Sequence, residues 1–481
     1  MELYKKSAAE LSALIKSKSC SVEEIAKSSF DRTTQVEGKV DAYITVCEQE
    51  ALTKAREVDA KIARGEELHP LAGIPIAIKD NISTKGILTS GASKMLSKYI
   101  PPYNATVINK INNVDMVITG KTNLDEFAMG STTETSYYKP TKNPHNLDRT
   151  PGGSSGGSAA AVSAGQAVLS LGSDTGGSIR TPAAFCGVVG LKPTYGAVSR
   201  FGLIALASSL DQIGPIGRTV TDVAMLYSLI CGHDKLDATT NKIEHSDYAK
   251  NLSSDIRGIT IGIPTEYFDL DLNDEVRKSL MDAIKQYEEL GCNIKEISLP
   301  SNEYALPTYQ IISSAEASSN LGRYDGVKFG FRAAEYSTLT EMYVNTRSEG
   351  FGDEVKSRIL LGTLALSAEG YNDYYYKAKL MQEQISSEFA AALGECDAIL
   401  TPTTLGVAFD LGTNMSDETD SCTVAVNLAG LPAISIPCGV NSESMPIGMQ
   451  IIGKKFDEQT ILNLAFAFEK TCDTIKMPEI V

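Results

Sequence analysis

The sequence predicts an α/β fold, a central mixed β-sheet covered by helices on both faces. Two observations carry this. Short apolar runs recur between segments of helical periodicity, and that alternation builds a largely covered sheet. With 42% hydrophobic and 22% charged residues the composition is globular, and 481 residues can bury a substantial core.

The first 65 residues read as helical. Ser7 with Glu10 and Ser21 with Glu24 have capping-box spacing, in which a hydroxyl and a carboxylate satisfy free backbone N–H groups. A third helical pattern, about 51–64, stops at Gly65. Strands are expected at 74–78, 116–119, 167–171, 259–263, 294–299, 398–400, 433–436 and 448–452. The clearest helix between them is 273–290, with Val276, Leu280, Ala283, Ile284, Tyr287 and Leu290 on one face and Gly291 as its stop. The polar stretch 233–257 reads as a surface excursion. With no internal repeat, one domain over 1–481 is expected, 1–65 being a helical segment packed on the core.

Lys plus Arg number 44 and Asp plus Glu 60, a net charge of −16. That argues against nucleic-acid phosphate as the main direct partner. His69, His145, His233 and His245 show no zinc-ligand spacing, so no metal is expected. Nine Cys without a C-x-x-C read as reduced thiols in a cytosol. The start, MELYKKSAAEL, lacks a signal-peptide core. The uncharged stretch 150–173 is long enough to span a membrane, but it is full of Gly and Ser and opens with Pro151. It reads as a loop and a buried helix, so no membrane span is expected.

Several short matches fail for lack of partners. Ile76-Ala77-Ile78-Lys79 has no kinase Gly-rich loop before it. Gly120-Lys121-Thr122 would need a glycine where Asp115 stands. Ser136 to Lys139 fits S-x-x-K without its companion motifs. Gly152 to Gly156 fits G-x-S-x-G, but its only downstream His are His233 and His245, in the polar excursion.

Two Gly/Ser clusters survive, GGSSGGS from Gly152 and GSDTGGS from Gly172. They are either flexible loops or a site. Each abuts apolar sequence, where a linker would sit among polar residues. Glycines around serines also let several backbone N–H groups converge, as an oxyanion hole requires. Lys79, at the end of an apolar run, is either a snorkelling strand-end lysine or a desolvated base. To be neutral near pH 7 it must lose about 3 pK units, roughly 4 kcal/mol of bias. With so few His, Lys is the available base for a Ser nucleophile.

The runs GGSSGGSAAAV and GSDTGGSIRTPAAFCGVVGLKPTYG, with Lys79, resemble the amidase signature family. The resemblance implies a Ser–cis-Ser–Lys triad: Ser178 as nucleophile, Ser154 as bridging serine after a cis peptide from Gly153, Lys79 as base. It makes 150–200 the signature core. Thr175, Gly176, Gly177 and the Ser178 N–H become the expected oxyanion donors, while Ser155, Asp174 and Arg180 are given structural roles.

Within that family the chain resembles, over nearly its full length, the A subunits of glutamyl-tRNA(Gln) amidotransferases. VSRFGLIALASSLDQIGPIGRTVTD, AEASSNLGRYDGVKFG, FGDEVKSRILLGTLALSAEGYNDYYYKAK and NLAGLPAISIPCG carry the likeness. It implies that Arg358 pairs with the α-carboxylate of L-glutamine, whose geometry a guanidinium matches, that Asp420 faces the α-ammonium, and that Tyr309 completes the pocket. It further implies a cytoplasmic heterotrimer with B and C subunits, with ammonia passing to B. ATP, magnesium and Glu-tRNA(Gln) would be bound mainly by B, and this chain would carry no cofactor. A stand-alone amidase acting on small amides would use the same triad. Thr181, Ala197 and Ala425 depart from the expected Gln, Arg and Pro.

Overall fold

The computed structural model describes residues 2–413, 419–472 and 476–480. Eleven strands form one sheet: β1 (Tyr43–Val46), β2 (Pro75–Lys79), β3 (Val117–Thr122), β4 (Leu169–Asp174), β5 (Val189–Lys192), β6 (Gln212–Gly217), β7 (Thr260–Pro264), β8 (Asn293–Ile297), β9 (Ala398–Pro402), β10 (Ala433–Val440) and β11 (Pro446–Gly453). Their order is β1-β3-β2-β4-β6-β5-β10-β11-β9-β7-β8. β3-β2-β4 and β9-β7-β8 are parallel, the remaining pairs antiparallel, so the sheet is mixed as expected.

Both faces are covered, and the strands show why. Successive side chains on a strand point to opposite faces. Ala398 and Leu400 join one apolar cluster while Ile399 joins another. Ile76 and Ile78 likewise part from Ala77. The first cluster takes in helices Val220–Ile230, Asp274–Glu289 and Glu458–Glu469, the second Ala305–Asn320 and Tyr376–Glu395.

Both N-terminal capping boxes form, at Ser7–Glu10 and Ser21–Glu24. The 273–290 pattern is helix Asp274–Glu289, capped by the Asn273 side chain. The all-helical reading of 1–65 is corrected by β1, which pairs with β3 at the sheet edge. A Cβ on Gly120 would lie 2.2 Å from the Thr45 carbonyl, so the glycine of the false phosphate-loop match is there to let β1 approach. β5 and β6 are also absent from the expected strands. β6 reads QIGPIG, and Gly and Pro argue against an interior strand. Yet Pro215 sits opposite Leu171 within the sheet.

Candidate active site

β2 and β4 are adjacent and parallel, with Ile78 opposite Leu171. Their carboxyl ends therefore open at one edge, where ligands of α/β sheets gather. Lys79 ends β2, and Ser173 and Asp174 end β4. The helix Gly156–Ser163 packs behind them, its Ser158 hydroxyl donating to the Leu171 carbonyl at 3.1 Å. This fixes Ser154 and Ser155 just ahead of the helix.

Lys79 is fully buried. Its Nζ lies 2.8 Å from Ser154 Oγ, 2.8 Å from Ser155 Oγ, 2.9 Å from Ser173 Oγ and 3.2 Å from the Ser173 carbonyl. Burial pulls its amine down to about 7, against the pull of Asp125, Asp174 and Asp211. The surrounding donors set its orientation. The Ser155 hydroxyl gives its own proton to the Ser173 carbonyl at 3.0 Å, so it accepts from Lys79. The Ser173 hydroxyl accepts from Asn81 Nδ2 at 2.9 Å and is a further acceptor. A neutral amine with its two hydrogens on Ser155 and Ser173 aims its lone pair at Ser154.

The Gly153–Ser154 peptide is cis. A Cβ on Gly153 would lie 2.1 Å from Asp125 Oδ2, so Asp125 presses against this turn. Burial pushes the Asp125 carboxyl up to about 6, although Thr133 and Thr135 donate to it. Ser178 is 5% exposed, while Ser154 is wholly buried. The two segments are tied by the Ser155 N–H donating to the Ser178 carbonyl at 3.1 Å. The structure thus joins Lys79 to Ser154 directly. The Ser154 and Ser178 hydroxyls are not hydrogen-bonded to each other among the described residues.

The loop 175–178 is held by a buried brace. Arg180 grips Asp174 with Nε at 3.0 Å and Nη2 at 2.9 Å, and also donates to the Thr423 carbonyl, Gln450 and Asn427. Burial works to raise the Asp174 carboxyl, but Arg180 overrides it and holds it at about 2. Asp174 Oδ1 accepts the Gly177 N–H at 2.9 Å. The Gly177 N–H, one of the expected oxyanion donors, is thus bonded within the loop in this structure. Gly177 is required for its backbone, with φ +147°. Thr175 anchors the other end through its hydroxyl to Asp211 at 2.7 Å.

Of the three residues expected to form the pocket, Tyr309 and Asp420 touch this loop, and the Arg358 charge acts on both of them. Tyr309, on helix Ala305–Asn320, is buried with its ring on Gly176; a Cβ there would lie 2.6 Å from Tyr309 Cζ. Arg358, on helix Asp353–Leu366, is held by Glu354 at 2.6 Å. The two helices meet closely at Gly362, where a Cβ would strike the Ser314 carbonyl. Asp420 Oδ1 would lie 3.1 Å from a Cβ on Gly177, and it is a buried oxygen with no hydrogen-bond partner among the described residues. Burial pushes the Asp420 carboxyl up to about 8, with Arg358 pulling the other way. A guanidinium and a buried carboxyl group that act on each other suit a zwitterionic ligand.

Asn81, Asp125 and Ser173 are site residues that sequence reasoning misses. Ser173 has a signal, since it lies within the GSDTGGS run; Asp125 and Asn81 have none. Thr181, Ala197 and Ala425 are all buried, and Thr181 Oγ1 has no hydrogen-bond partner among the described residues. Among the described residues no group of three His, Cys, Asp or Glu side chains is arranged to hold a metal, and no helix is long and apolar enough to cross a membrane.

Known proteins resemble this chain along its length. The chain is 56% identical over 478 residues to the A subunit of the glutamyl-tRNA(Gln) amidotransferase of Carboxydothermus hydrogenoformans, covering 98% of each chain. It superposes on the crystal structure of the corresponding A subunit from Thermotoga maritima with a TM-score of 0.83 at 40% identity, covering 100% of this chain and 98% of that one. The native peptide amidase of Stenotrophomonas maltophilia gives 0.85 at 27% identity, covering 99% of each. The family profile described as Amidase matches residues 24–462, and with such relatives along its whole length the chain belongs to the amidase family.

Proposed function

We propose that this chain is the glutaminase component of a glutamyl-tRNA(Gln) amidotransferase. The observation that carries the reading is that Tyr309 and the Asp420 oxygen, unpaired among the described residues, lie on the loop that bears Ser178, with the Arg358 charge acting on both. Arg358 takes the α-carboxylate of glutamine, Asp420 the α-ammonium, and the Tyr309 ring walls the side chain toward Ser178. An ammonium beside Asp420 supplies the positive charge its buried carboxyl lacks.

Neutral Lys79 takes a proton from Ser154, and Ser154 takes one from Ser178. Ser178 Oγ then bonds to the side-chain amide carbon. The oxyanion is held by the N–H groups of Thr175, Gly176 and Ser178. The proton returns through Ser154 to the leaving nitrogen, the C–N bond breaks and ammonia departs. Water, deprotonated by the same relay, hydrolyses the acyl-enzyme and releases glutamate. The reading extends to B and C partners in the cytoplasm. B binds ATP, magnesium and Glu-tRNA(Gln) and uses the ammonia, while this chain works as one domain without a cofactor.

The test is ammonia release from L-glutamine by the chain with whatever co-purifies, beside Ser178→Ala. The expected result is turnover that vanishes in the variant and rises on adding ATP and Glu-tRNA(Gln). Turnover of simple amides but not glutamine would move the assignment to a stand-alone amidase and leave Arg358 a surface charge.

A further inference from the structure

Next to Asp125 stands a second buried carboxylate that the mechanism does not use. Glu126 is 3% exposed, and a buried charge needs a reason. Its Oε1 accepts the Ser93 hydroxyl, and its Oε2 accepts the Gly352 N–H at 2.8 Å. Gly352 is the N-cap of helix Asp353–Leu366, the helix that carries Arg358, and it has no side chain with which to cap. In a capping box the N-cap N–H is taken by a glutamate at the third helical position. Here that position is Val355, and Glu126 supplies the carboxylate from the catalytic core instead.

The turn that delivers it is strained. Phe127 and Ala128 have φ of +52° and +64°, unusual for side-chain-bearing residues and worth holding only where the surroundings require it. Three consecutive side chains use that turn. Asp125 presses on Gly153. Glu126 holds the N-terminus of the Arg358 helix. The Phe127 ring packs 5.7 Å from Phe351 and 5.0 Å from Tyr324, at the entry to the same helix. Arg358 lies six residues beyond the cap, about 9 Å at 1.5 Å per residue.

We infer that Glu126 is a positioning residue for substrate recognition: it pins the Arg358 helix to the turn that buttresses Ser154, so that the carboxylate-binding guanidinium keeps its distance from the nucleophile. This rests on the proposed role of Arg358. Loss of the pin should loosen glutamine binding and leave the nucleophile untouched.

The experiment uses the full chain with its co-purifying partners, and compares glutamine kinetics with the rate at which phenylmethylsulfonyl fluoride inactivates Ser178. Glu126→Ala should raise KM for glutamine about tenfold, with kcat and the inactivation rate within about twofold. Glu126→Gln, which keeps an acceptor for Gly352, should recover most of the loss. Gly352→Ala approaches the contact from its other side, since its Cβ would lie 2.4 Å from Glu126 Oε2. It should give the same selective rise, and it serves if Glu126→Ala does not fold. An unchanged KM in the folded variants, or an equal fall in kcat and inactivation rate, overturns the inference. Arg358→Ala is the control. If it leaves KM unchanged, the pocket reading fails as well; if it raises KM while Glu126→Ala and Gly352→Ala do not, only the inference fails.

Discussion

The floor of the site and its wall are built differently. The floor is the carboxyl end of β2 and β4, where Lys79, Ser154, Ser155 and Asp174 are wholly buried and Lys79 and Asp174 each have several partners. The wall is a pair of helices, Ala305–Asn320 and Asp353–Leu366, on the flank of the second apolar cluster. There Arg358 keeps 18% of its side chain exposed and pairs with Glu354, while Leu360 and Leu364 on the same helix are 70% and 53% exposed. The proposed chemistry sits at the ends of two paired parallel strands. The proposed recognition residues sit on helices, so they could change without disturbing the floor. A peptide amidase and a tRNA-dependent amidotransferase component share this fold, as such a division permits.

The largest effects should come from the floor. Lys79→Ala and Ser154→Ala should each lower kcat by about 10³-fold or more, because members of a relay fail together. Single-turnover glutamine hydrolysis checks this, and a mild loss in either would break the division at its base. The pH profile sharpens it. Burial lowers the Lys79 amine to about 7, so it is charged and inactive below that pH and neutral above it. The rate should climb about tenfold per unit below 7 and level off above it. A profile flat from pH 5 to 8 would mean that another group is the base. The wall should give the next effect. Arg358→Ala should raise KM for glutamine about 10- to 100-fold, since hydrogen bonds to charged groups contribute about 1.5–3 kcal/mol. If kcat falls as far as in Lys79→Ala, floor and wall are not separable.

The same division explains what the sequence discloses. Ser154 and Ser178 stand out because each lies in a run dense in glycine and hydroxyl groups, and Lys79 because it ends an apolar run. Arg358 and Tyr309 are legible only through resemblance, since an Arg in E-V-K-S-R spacing has the pattern of a helix surface. Asp420, located by its distance from Asn427, does reach the loop. The brace is the reason, as Arg180 ties both Asn427 and the Thr423 carbonyl to Asp174. Asp125 and Glu126 carry no local signal, because their roles arise from contacts with residues 153 and 352. Gly177 shows the limit of spacing arguments: the chain order puts its N–H among the oxyanion donors, and only the backbone turn shows that Asp174 takes it. β1, β5 and β6 escape notice for a related reason. β1 and β5 are only four residues each, and β6 carries Gly and Pro that disfavour an interior strand until tertiary pairing overrides them.

Ser173 offers the smallest and most discriminating change. Its hydroxyl accepts from Lys79 and from Asn81, both at 2.9 Å, so it receives one of the two hydrogens of the neutral amine. Ser155 receives the other and also binds Lys79 at 2.8 Å. With Ser173→Ala one hydrogen loses its side-chain acceptor, and the lone pair is aimed at Ser154 by Ser155 and the Ser173 carbonyl. The relay survives with a less constrained base. The expected fall in kcat is about tenfold, the order of one hydrogen bond, with KM for glutamine unchanged because the wall is untouched. The lost acceptor served the charged amine too, so the Lys79 ammonium is less stabilised and its pKa falls further. The acid limb should therefore move below 7. Kinetics across pH 5 to 9 decide the matter. A limb that shifts upward would show that Ser173 donates to Lys79 in the ground state, and the orientation assigned to the amine would have to be reversed.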